Sequence, residues 1–268
     1  MNITLLANKD LASCLAINYL LPELAEHRLS VFLSSRVGSS KLAPPLEQMR
    51  FVEQDLLNEV LFPLLSRQGE MTTELIGFPG IRSRLEDRLC ELNNINSKLG
   101  LAQLSATEPE LVLSIRYGSI LKDAAISIPQ HGVLNLHSGR LPDYKGVMAT
   151  FWALLNEEQF IGTTLHTIDD RCIDTGRIVA ETTFAVQKEH SYLWHVLALY
   201  REGCQIISRA VQTIASGSMP KATRQSDAGR YFSFPTAADL ERFSARGWHL
   251  FDSEDLLTVY KRFLPTGS

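Results

Sequence analysis

The protein has 268 residues, of which 45% are hydrophobic and 21% charged, so its composition is that of a folded globular protein and not of a disordered or fibrous one. Its 26 Lys and Arg against 30 Asp and Glu give a net charge of −4, which disfavours a protein that coats nucleic acid. The sequence has no run of about 18 apolar residues, so we predict no membrane-spanning helix. The N-terminus shows no charged leader before a long apolar stretch, so we expect no secretory signal and a cytoplasmic protein.

The cysteines do not form a metal-binding or disulfide pattern. They lie far apart in the chain, at Cys14, Cys90, Cys172 and Cys204, without a CxxC pair. This spacing favours a reduced, intracellular protein in which each cysteine is a small buried apolar residue.

The first half of the chain alternates between strand and helix patterns. We predict a strand over residues 3–7, followed by a helix over residues 11–21 that ends at Pro22. The pattern then predicts a strand over residues 28–34, a loop over 35–44, a helix over 46–65 that is interrupted near Pro63, and a charged helix over 82–93.

The second half predicts four more strands and a long amphipathic helix. The strands are expected over residues 110–115, 132–136, 163–168 and 177–184, and the helix over residues 192–215 with Ser191 as its N-cap. The alternation predicts an α/β fold, a Rossmann-like doubly wound and mostly parallel sheet. We assign residues 1–220 to a catalytic domain and residues 221–268 to a small C-terminal extension packed on it.

The turn after the first strand argues against two large enzyme classes. Residues 8–13 contain no glycine, so the backbone there lacks the close approach to a pyrophosphate that nicotinamide and flavin dehydrogenases use. The sequence also has no P-loop, which disfavours an ordinary ATPase or kinase.

A polar cluster follows the strand predicted over residues 132–136. Asn135 and His137 are two residues apart, so their side chains lie on the same face at the carboxyl end of a strand, where open α/β sheets bind ligands. A second polar loop after residues 163–168 contains Asp174, and a carboxylate beside His137 would orient the imidazole and favour its charged form.

An amide, an imidazole and a carboxylate suit acyl transfer to an amine. Asn135 can donate a hydrogen bond to a carbonyl oxygen as negative charge builds on it. His137, held by Asp174, can donate a second hydrogen bond or stabilise the tetrahedral intermediate as a cation. The acceptor amine attacks directly, so no nucleophilic serine or cysteine and no metal is required.

These residues resemble the 10-formyltetrahydrofolate-dependent formyltransferases, which include the glycinamide ribonucleotide, methionyl-tRNA and sugar-amine formyltransferases. The shared signature is Asn-x-His, then Leu-Pro-x-x-x-Gly at residues 141–146, then Asp-x-Gly at residues 174–176. The likeness covers residues 105–185 well and residues 1–35 loosely. It implies that Asn135, His137 and Asp174 are the catalytic residues.

The resemblance also implies a site for the co-substrate, 10-formyltetrahydrofolate, and a neighbouring site for the acceptor. The pteridine would contact two loops, through Arg116, Tyr117, Gly118, Ile120, Ile168, Asp170 and Ile173. The acceptor would contact Arg140, Tyr144, Lys145 and Gly146. Arg140 and Lys145 can equally be solvated loop charges. The loop over residues 169–173 departs from the shorter, glycine-containing loop of many relatives, which bears on the detailed folate contacts.

The expected acceptor is an amine or hydroxylamine of a small biosynthetic metabolite, such as an amino sugar nucleotide or a hydroxyornithine-type siderophore precursor. The alternatives are a hydrolase that releases formate from the same donor and a folate- or metabolite-binding protein without turnover. The C-terminal extension is shorter than the tRNA-contacting domain of the methionyl-tRNA enzyme, which together with the acidic charge argues against a nucleic-acid partner.

Two further features of the sequence allow more than one interpretation. His166 lies in an alternating strand, where a structural or substrate-side packing role is favoured. Tyr231, Phe232 and Phe234 either pack the C-terminal extension onto the main body or form an acceptor-pocket wall or a dimer contact. The oligomeric state is therefore open, with a homodimer as one option.

Overall fold

Strands and helices alternate along the first two thirds of the chain. In a computed structural model, residues 1–35, 42–66, 73–226 and 228–265 are described. The strands are β1 Asn2–Asn8, β2 Arg28–Ser34, β3 Leu89–Glu91, β4 Leu111–Ile115, β5 Val133–His137, β6 Tyr144–Gly146, β7 Phe160–Ile161, β8 Thr164–Thr167, β9 Ile178–Glu181, β10 Phe184–Ala185 and β11 Arg230–Phe232. The α-helices are α1 Leu11–Glu23, α2 Pro44–Arg50, α3 Phe62–Ser66, α4 Phe78–Arg84, α5 Lys98–Ser105, α6 Asp123–Ile126, α7 Ala149–Leu155, α8 Tyr192–Ala215, α9 Ala237–Ala245 and α10 Ser253–Lys261.

The central sheet has seven strands in the order β3-β2-β1-β4-β5-β8-β9. The first five are parallel, whereas β8 runs antiparallel to both β5 and β9. The predicted mostly parallel, doubly wound α/β fold is confirmed. Since β1, β4 and β5 point the same way, their carboxyl ends lie at one edge of the sheet.

The sheet is buried on both faces because its strands are almost wholly apolar. Leu5 and Leu6 are adjacent on β1 and point to opposite faces. Leu5 joins a large core with α1, α7 and α8, and Leu6 joins a smaller core with residues of α5 and α6. This two-sided covering is what a parallel sheet requires.

Two helix predictions are wrong, one at its end and one over most of its length. The helix from Leu11 continues through Pro22 to Glu23, because the proline falls within its last turn. The charged helix expected over residues 82–93 does not form. Instead α4 ends at Arg84, Glu86 and Asp87 adopt positive φ, and β3 pairs with β2 at the edge of the sheet. The gain from pairing an edge strand outweighs the helix propensity of the charged residues.

The segment from Pro44 to Ser66 is helical throughout, with a π-helical stretch over Phe51–Leu61 between α2 and α3. The interruption expected near Pro63 is therefore wrong, since the wider π-helical turns before it adjust the hydrogen bonding. Of the loop predicted over residues 35–44, residues 36–41 lie outside the described residues, and Pro44 already belongs to α2.

The long helix α8 has the predicted bounds, and the Ser191 hydroxyl caps it by accepting from the Trp194 amide. The strand predicted over residues 177–184 divides into β9, in the central sheet, and β10, which pairs with β7. Cys14 and Cys204 are buried as expected, whereas Cys90 and Cys172 are exposed.

The C-terminal residues pack on the same core as the main body. Leu240, Phe243 and Trp248 are buried in the cluster that includes Phe151. β11 adds a short parallel ladder to β6. The division of the chain at residue 220 stays a prediction. No helix in the described parts of the chain is long and apolar enough to cross a lipid bilayer.

Candidate active site

Asn135 and His137 lie at the carboxyl end of β5, on one face of the sheet, as the strand period requires. On the neighbouring antiparallel strand β8, His166 lies directly opposite Asn135. The Asn135 amide nitrogen is 3.0 Å from Nε2 of His166. His137 and His166 are buried, with 8% and 1% of their surfaces exposed, so both imidazoles are largely shielded from bulk water.

Asp174 joins the two histidines from a loop some distance along the chain. Its carboxylate oxygens lie 3.5 Å from Nδ1 of His137 and 3.4 Å from Nε2 of His166. The Gly146 amide donates to the same carboxylate at 2.8 Å. The structure therefore brings Asn135, His137 and Asp174 to one place, as predicted, with His166 between two of them.

The environment of Asp174 keeps its carboxyl group ionised. Burial alone would raise its pKa, but the charge of His137, the hydrogen bond and charge of His166, and the Gly146 amide outweigh burial and lower the pKa to about 2. A carboxylate with so low a pKa is a weak base. Its position suits it to hold and orient the two imidazoles.

The hydrogen bonds of the rings indicate how protons are distributed. Nε2 of His137 donates to the carbonyl oxygen of Tyr144 at 2.7 Å, so a ring protonated on both nitrogens can donate to Tyr144 and to Asp174 together. Nδ1 of His166 donates to the Thr167 carbonyl at 2.8 Å, so Nε2 accepts from Asn135 when the ring is neutral and donates to Asp174 when the ring is protonated.

A cavity of about 940 Å³ opens above this edge of the sheet. Asn135, His137, His166 and Asp174 lie on its wall. The wall also includes all seven residues predicted to contact folate, namely Arg116, Tyr117, Gly118, Ile120, Ile168, Asp170 and Ile173. Pockets for drug-sized ligands occupy about 300–1,000 Å³, so the cavity is large enough for a folate.

Of the four residues predicted to bind the acceptor, Gly146 lies on the cavity wall. Arg140 and Tyr144 instead line a separate pocket of about 30 Å³. The Tyr144 ring is buried against Phe232, and Nζ of Lys145 donates to a backbone carbonyl at residue 228. Arg140, Tyr144 and Lys145 do not line the large cavity, so they are not among the residues that we propose to contact the acceptor.

Sequence reasoning missed a buried ionic cluster on the opposite wall. Nε of Arg116 is 2.9 Å from Asp10, and its Nη2 is 2.5 Å from Glu53. Arg116 has φ of 57°, which turns its side chain toward these two acids. Burial raises the pKa of Glu53 even though Arg116 opposes the rise. Burial likewise raises the pKa of the nearby Tyr200 hydroxyl.

The contacts of His166 with Asn135 and Asp174 were not predicted, although the sequence contains a pattern that indicates the first of them. Its place in an alternating strand beside residues 132–136 would have put it opposite Asn135 if the antiparallel pairing of β8 had been foreseen. The aromatic residues of the C-terminal extension do not all lie in one place. Tyr231 and Phe234 lie on the cavity wall, while Phe232 stacks on Trp152 at 5.0 Å.

No group of three or more His, Cys, Asp or Glu side chains within the described ranges is arranged to hold a metal ion.

Gly146 connects the extension to Asp174, and we expect Gly146→Ala to disrupt both. The residue has φ of 96°, and a Cβ there would lie 2.2 Å from the carbonyl oxygen of Phe232. The clash would separate β11 from β6 and move the amide that binds Asp174. Steady-state kinetics should show a fall in turnover of about tenfold or more.

Gly217→Ala is the matched control for this change. Gly217 also has a positive φ, of 84°, but apart from its chain neighbours no described atom lies within 4 Å of the position that a Cβ would take. It bears the backbone strain without the clash, so equal losses of turnover in the two variants would contradict the role given to Gly146.

Comparison with known proteins gives a partial family match and a likeness of fold. Residues 86–197 match the family model described as formyl transferase. A methionyl-tRNA formyltransferase of Thermodesulfovibrio yellowstonii (strain ATCC 51303 / DSM 11347 / YP87) is 30% identical over 129 residues, which are 48% of this chain and 42% of that protein. The chain spans about half the length of the curated relatives it matches, or 42% and 50% for two of them.

Solved structures of similar fold include two N-formyltransferases. A sugar N-formyltransferase from Shewanella sp FDAARGOS_354 superposes with a TM-score of 0.56 at 14% identity, covering 99% of this chain and 89% of that one. The N-formyltransferase from Helicobacter canadensis, in complex with folinic acid and dTDP-3-aminofucose, gives 0.53 at 15% identity, covering 99% and 84%. At these identities the likeness establishes the α/β fold.

Proposed function

We propose that the chain is an enzyme that transfers a formyl group from 10-formyltetrahydrofolate to a small metabolite, a proposal supported by the match of residues 86–197 to the formyl transferase family model. The acceptor is an amine or hydroxylamine. The observation that carries this proposal is the Asp174 carboxylate, which contacts both His137 and His166 beside Asn135 on the wall of one cavity.

The reaction needs a stabilised oxygen and an oriented imidazole. The neutral acceptor nitrogen forms a bond to the formyl carbon, and the bond from that carbon to the folate nitrogen breaks. The proton lost by the acceptor is taken up by the leaving folate nitrogen. Asn135 donates a hydrogen bond to the formyl oxygen as it gains negative charge, while His137, whose two ring nitrogens face the Tyr144 carbonyl and Asp174, stabilises that charge as a cation. Asp174 stays ionised and orients His137. Its negative charge stabilises the protonated His137 ring.

The residues on the cavity wall fit a folate donor. Ile120 is 55% exposed on that wall and offers an apolar surface to a planar ring. Asp170 lies on the same wall, where its carboxylate accepts from the Cys172 amide at 2.7 Å and so stabilises the loop. We assign the folate side of the cavity to this loop and to residues 116–120.

An amino sugar nucleotide is the acceptor class that we favour. A structure of similar fold, from Helicobacter canadensis, was solved with dTDP-3-aminofucose and folinic acid. The wall that includes Tyr231 and Phe234 supports this choice, since aromatic rings on a cavity wall suit a nucleobase or sugar face.

The test is an acceptor screen with the purified full chain. The protein is incubated with 10-formyltetrahydrofolate and, in separate reactions, a dTDP-amino sugar, N5-hydroxyornithine or methionyl-tRNA. Formation of tetrahydrofolate and formylated product that requires the amino sugar supports the proposal. Turnover with methionyl-tRNA alone would replace the acceptor class. Formate release at the same rate without any acceptor would identify a hydrolase, and no consumption of the donor would indicate a binding protein.

A further inference from the structure

The C-terminal extension contacts the Asp174 loop from two sides. Behind the loop, Thr223 and Ile178 exchange a pair of backbone hydrogen bonds, each of 2.8 Å. In front of it, β11 pairs with β6, and the last residue of β6, Gly146, donates its amide to Asp174. Asp174 is therefore enclosed by elements that the extension holds.

Gln225 makes the most direct of these contacts. Its side-chain nitrogen donates to the carbonyl oxygens of Asp174, at 3.0 Å, and Gly176, at 2.6 Å. The two bonds use both hydrogens of the NH₂ group and bridge the backbone on either side of Thr175. They act on the main chain of the loop and leave the Asp174 carboxylate free for the histidines.

The loop needs this support because its backbone is in a strained conformation. Asp174 has φ of 55°, a left-handed value that non-glycine residues adopt only when surrounding contacts enforce it. Gly176 packs so closely on β8 that a Cβ would lie 1.6 Å from the Thr167 carbonyl oxygen. A small movement of the Gln225 contact would therefore rotate the Asp174 side chain relative to the rings.

The amide oxygen of Gln225 indicates that this side chain does more than fill space. Its carbonyl oxygen is buried without a hydrogen-bond partner among the described residues. Burying an unpaired amide oxygen is unfavourable, so the contacts of the NH₂ group have to compensate for it.

We propose that Gln225 is a positioning residue for Asp174, holding the loop so that the carboxylate faces His137 and His166. The C-terminal extension is then a functional part of the site and more than a packed appendage. This inference rests on the proposed function, which gives Asp174 its part in formyl transfer.

The kinetic test compares Gln225→Met and Gln225→Ala with Gln205→Met. Methionine has a similar length but no donor, whereas Gln205 is exposed on α8 and serves as the matched control. The Gln225 variants should lose about ten- to a hundredfold in kcat with KM for the acceptor changed by less than about twofold, since a misplaced orienting group slows the chemical step and leaves binding intact. The control should match the wild type.

A second readout does not depend on turnover. NMR signals of the His137 and His166 ring nitrogens, assigned with variants that lack each histidine, should shift in Gln225→Met and stay in place in Gln205→Met. If the wild type formylates no acceptor, the proposed function fails while the ring signals still test Gln225.

Two outcomes would overturn the inference. One is wild-type kcat and unmoved ring signals in both Gln225 variants. The other is a loss of activity that equals the loss of folded protein in thermal melts, with unmoved ring signals in the folded fraction, because that result would give Gln225 a packing role alone.

Discussion

Replacing His137 by alanine is expected to lower kcat by about 10²–10³-fold, or roughly 3–4 kcal/mol of transition-state stabilisation. The imidazole lies between Asp174 and the space beside Asn135, and its removal takes away the positive charge that stabilises the formyl oxygen. Asn135 remains and preserves part of the stabilisation. Stopped-time assays of tetrahydrofolate release, with saturating acceptor, would measure the loss.

His131→Ala is the control for this prediction. His131 precedes β5 in the chain but does not lie on the cavity wall, so its loss should leave kcat near the wild-type value. If His137→Ala consumes the formyl donor as fast as His131→Ala does, the assignment of His137 to catalysis is wrong.

Asp174→Asn is expected to have an effect of similar size, at least about 10²-fold in kcat. The asparagine oxygen can still accept from the Gly146 amide, but its NH₂ group would then compete with Asn135 for Nε2 of His166. The buried rings would lose both their orientation and the charge that balances a protonated His137. The exposed Asp123, in the first turn of α6, offers Asp123→Asn as a control of the same charge change.

The same variant tests the pH dependence of stability. The pKa of Asp174 is lowered to about 2 in the folded protein, below the value of about 4 for an unfolded chain. A depressed carboxyl pKa stabilises the fold at pH above the unfolded value, and that contribution is lost as pH falls through the folded value. Urea unfolding should therefore show a difference between wild type and Asp174→Asn that shrinks from about pH 4 toward about pH 2. A difference that grows in this window would contradict the burial and pairing assigned to Asp174.

Much of the fold could be read from neighbouring residues. The bounds of β2 and α8 agree with prediction, because an apolar run and an amphipathic stripe with a serine cap are encoded within a few residues of chain. The shared face of Asn135 and His137 follows from the strand period in the same way. The three-residue strand β3 could not be found like this, since so short an edge strand is stabilised by pairing with β2 and has little signal of its own.

The candidate site likewise has features that local sequence predicts and features that depend on tertiary contacts. Local pattern sufficed to place an amide and an imidazole at a strand end and to single out Asp174 by its motif. It could not show that His166 stands between Asn135 and Asp174, because that depends on the antiparallel register of β8 against β5. Nor could it show that Arg116 turns toward Asp10 and Glu53, or that Gln225 holds the Asp174 loop. Those contacts join residues that are tens to more than a hundred positions apart. Side chains so distant in the chain meet through packing, hydrogen bonding and backbone strain summed over the whole fold, and no stretch of neighbouring residues encodes that sum.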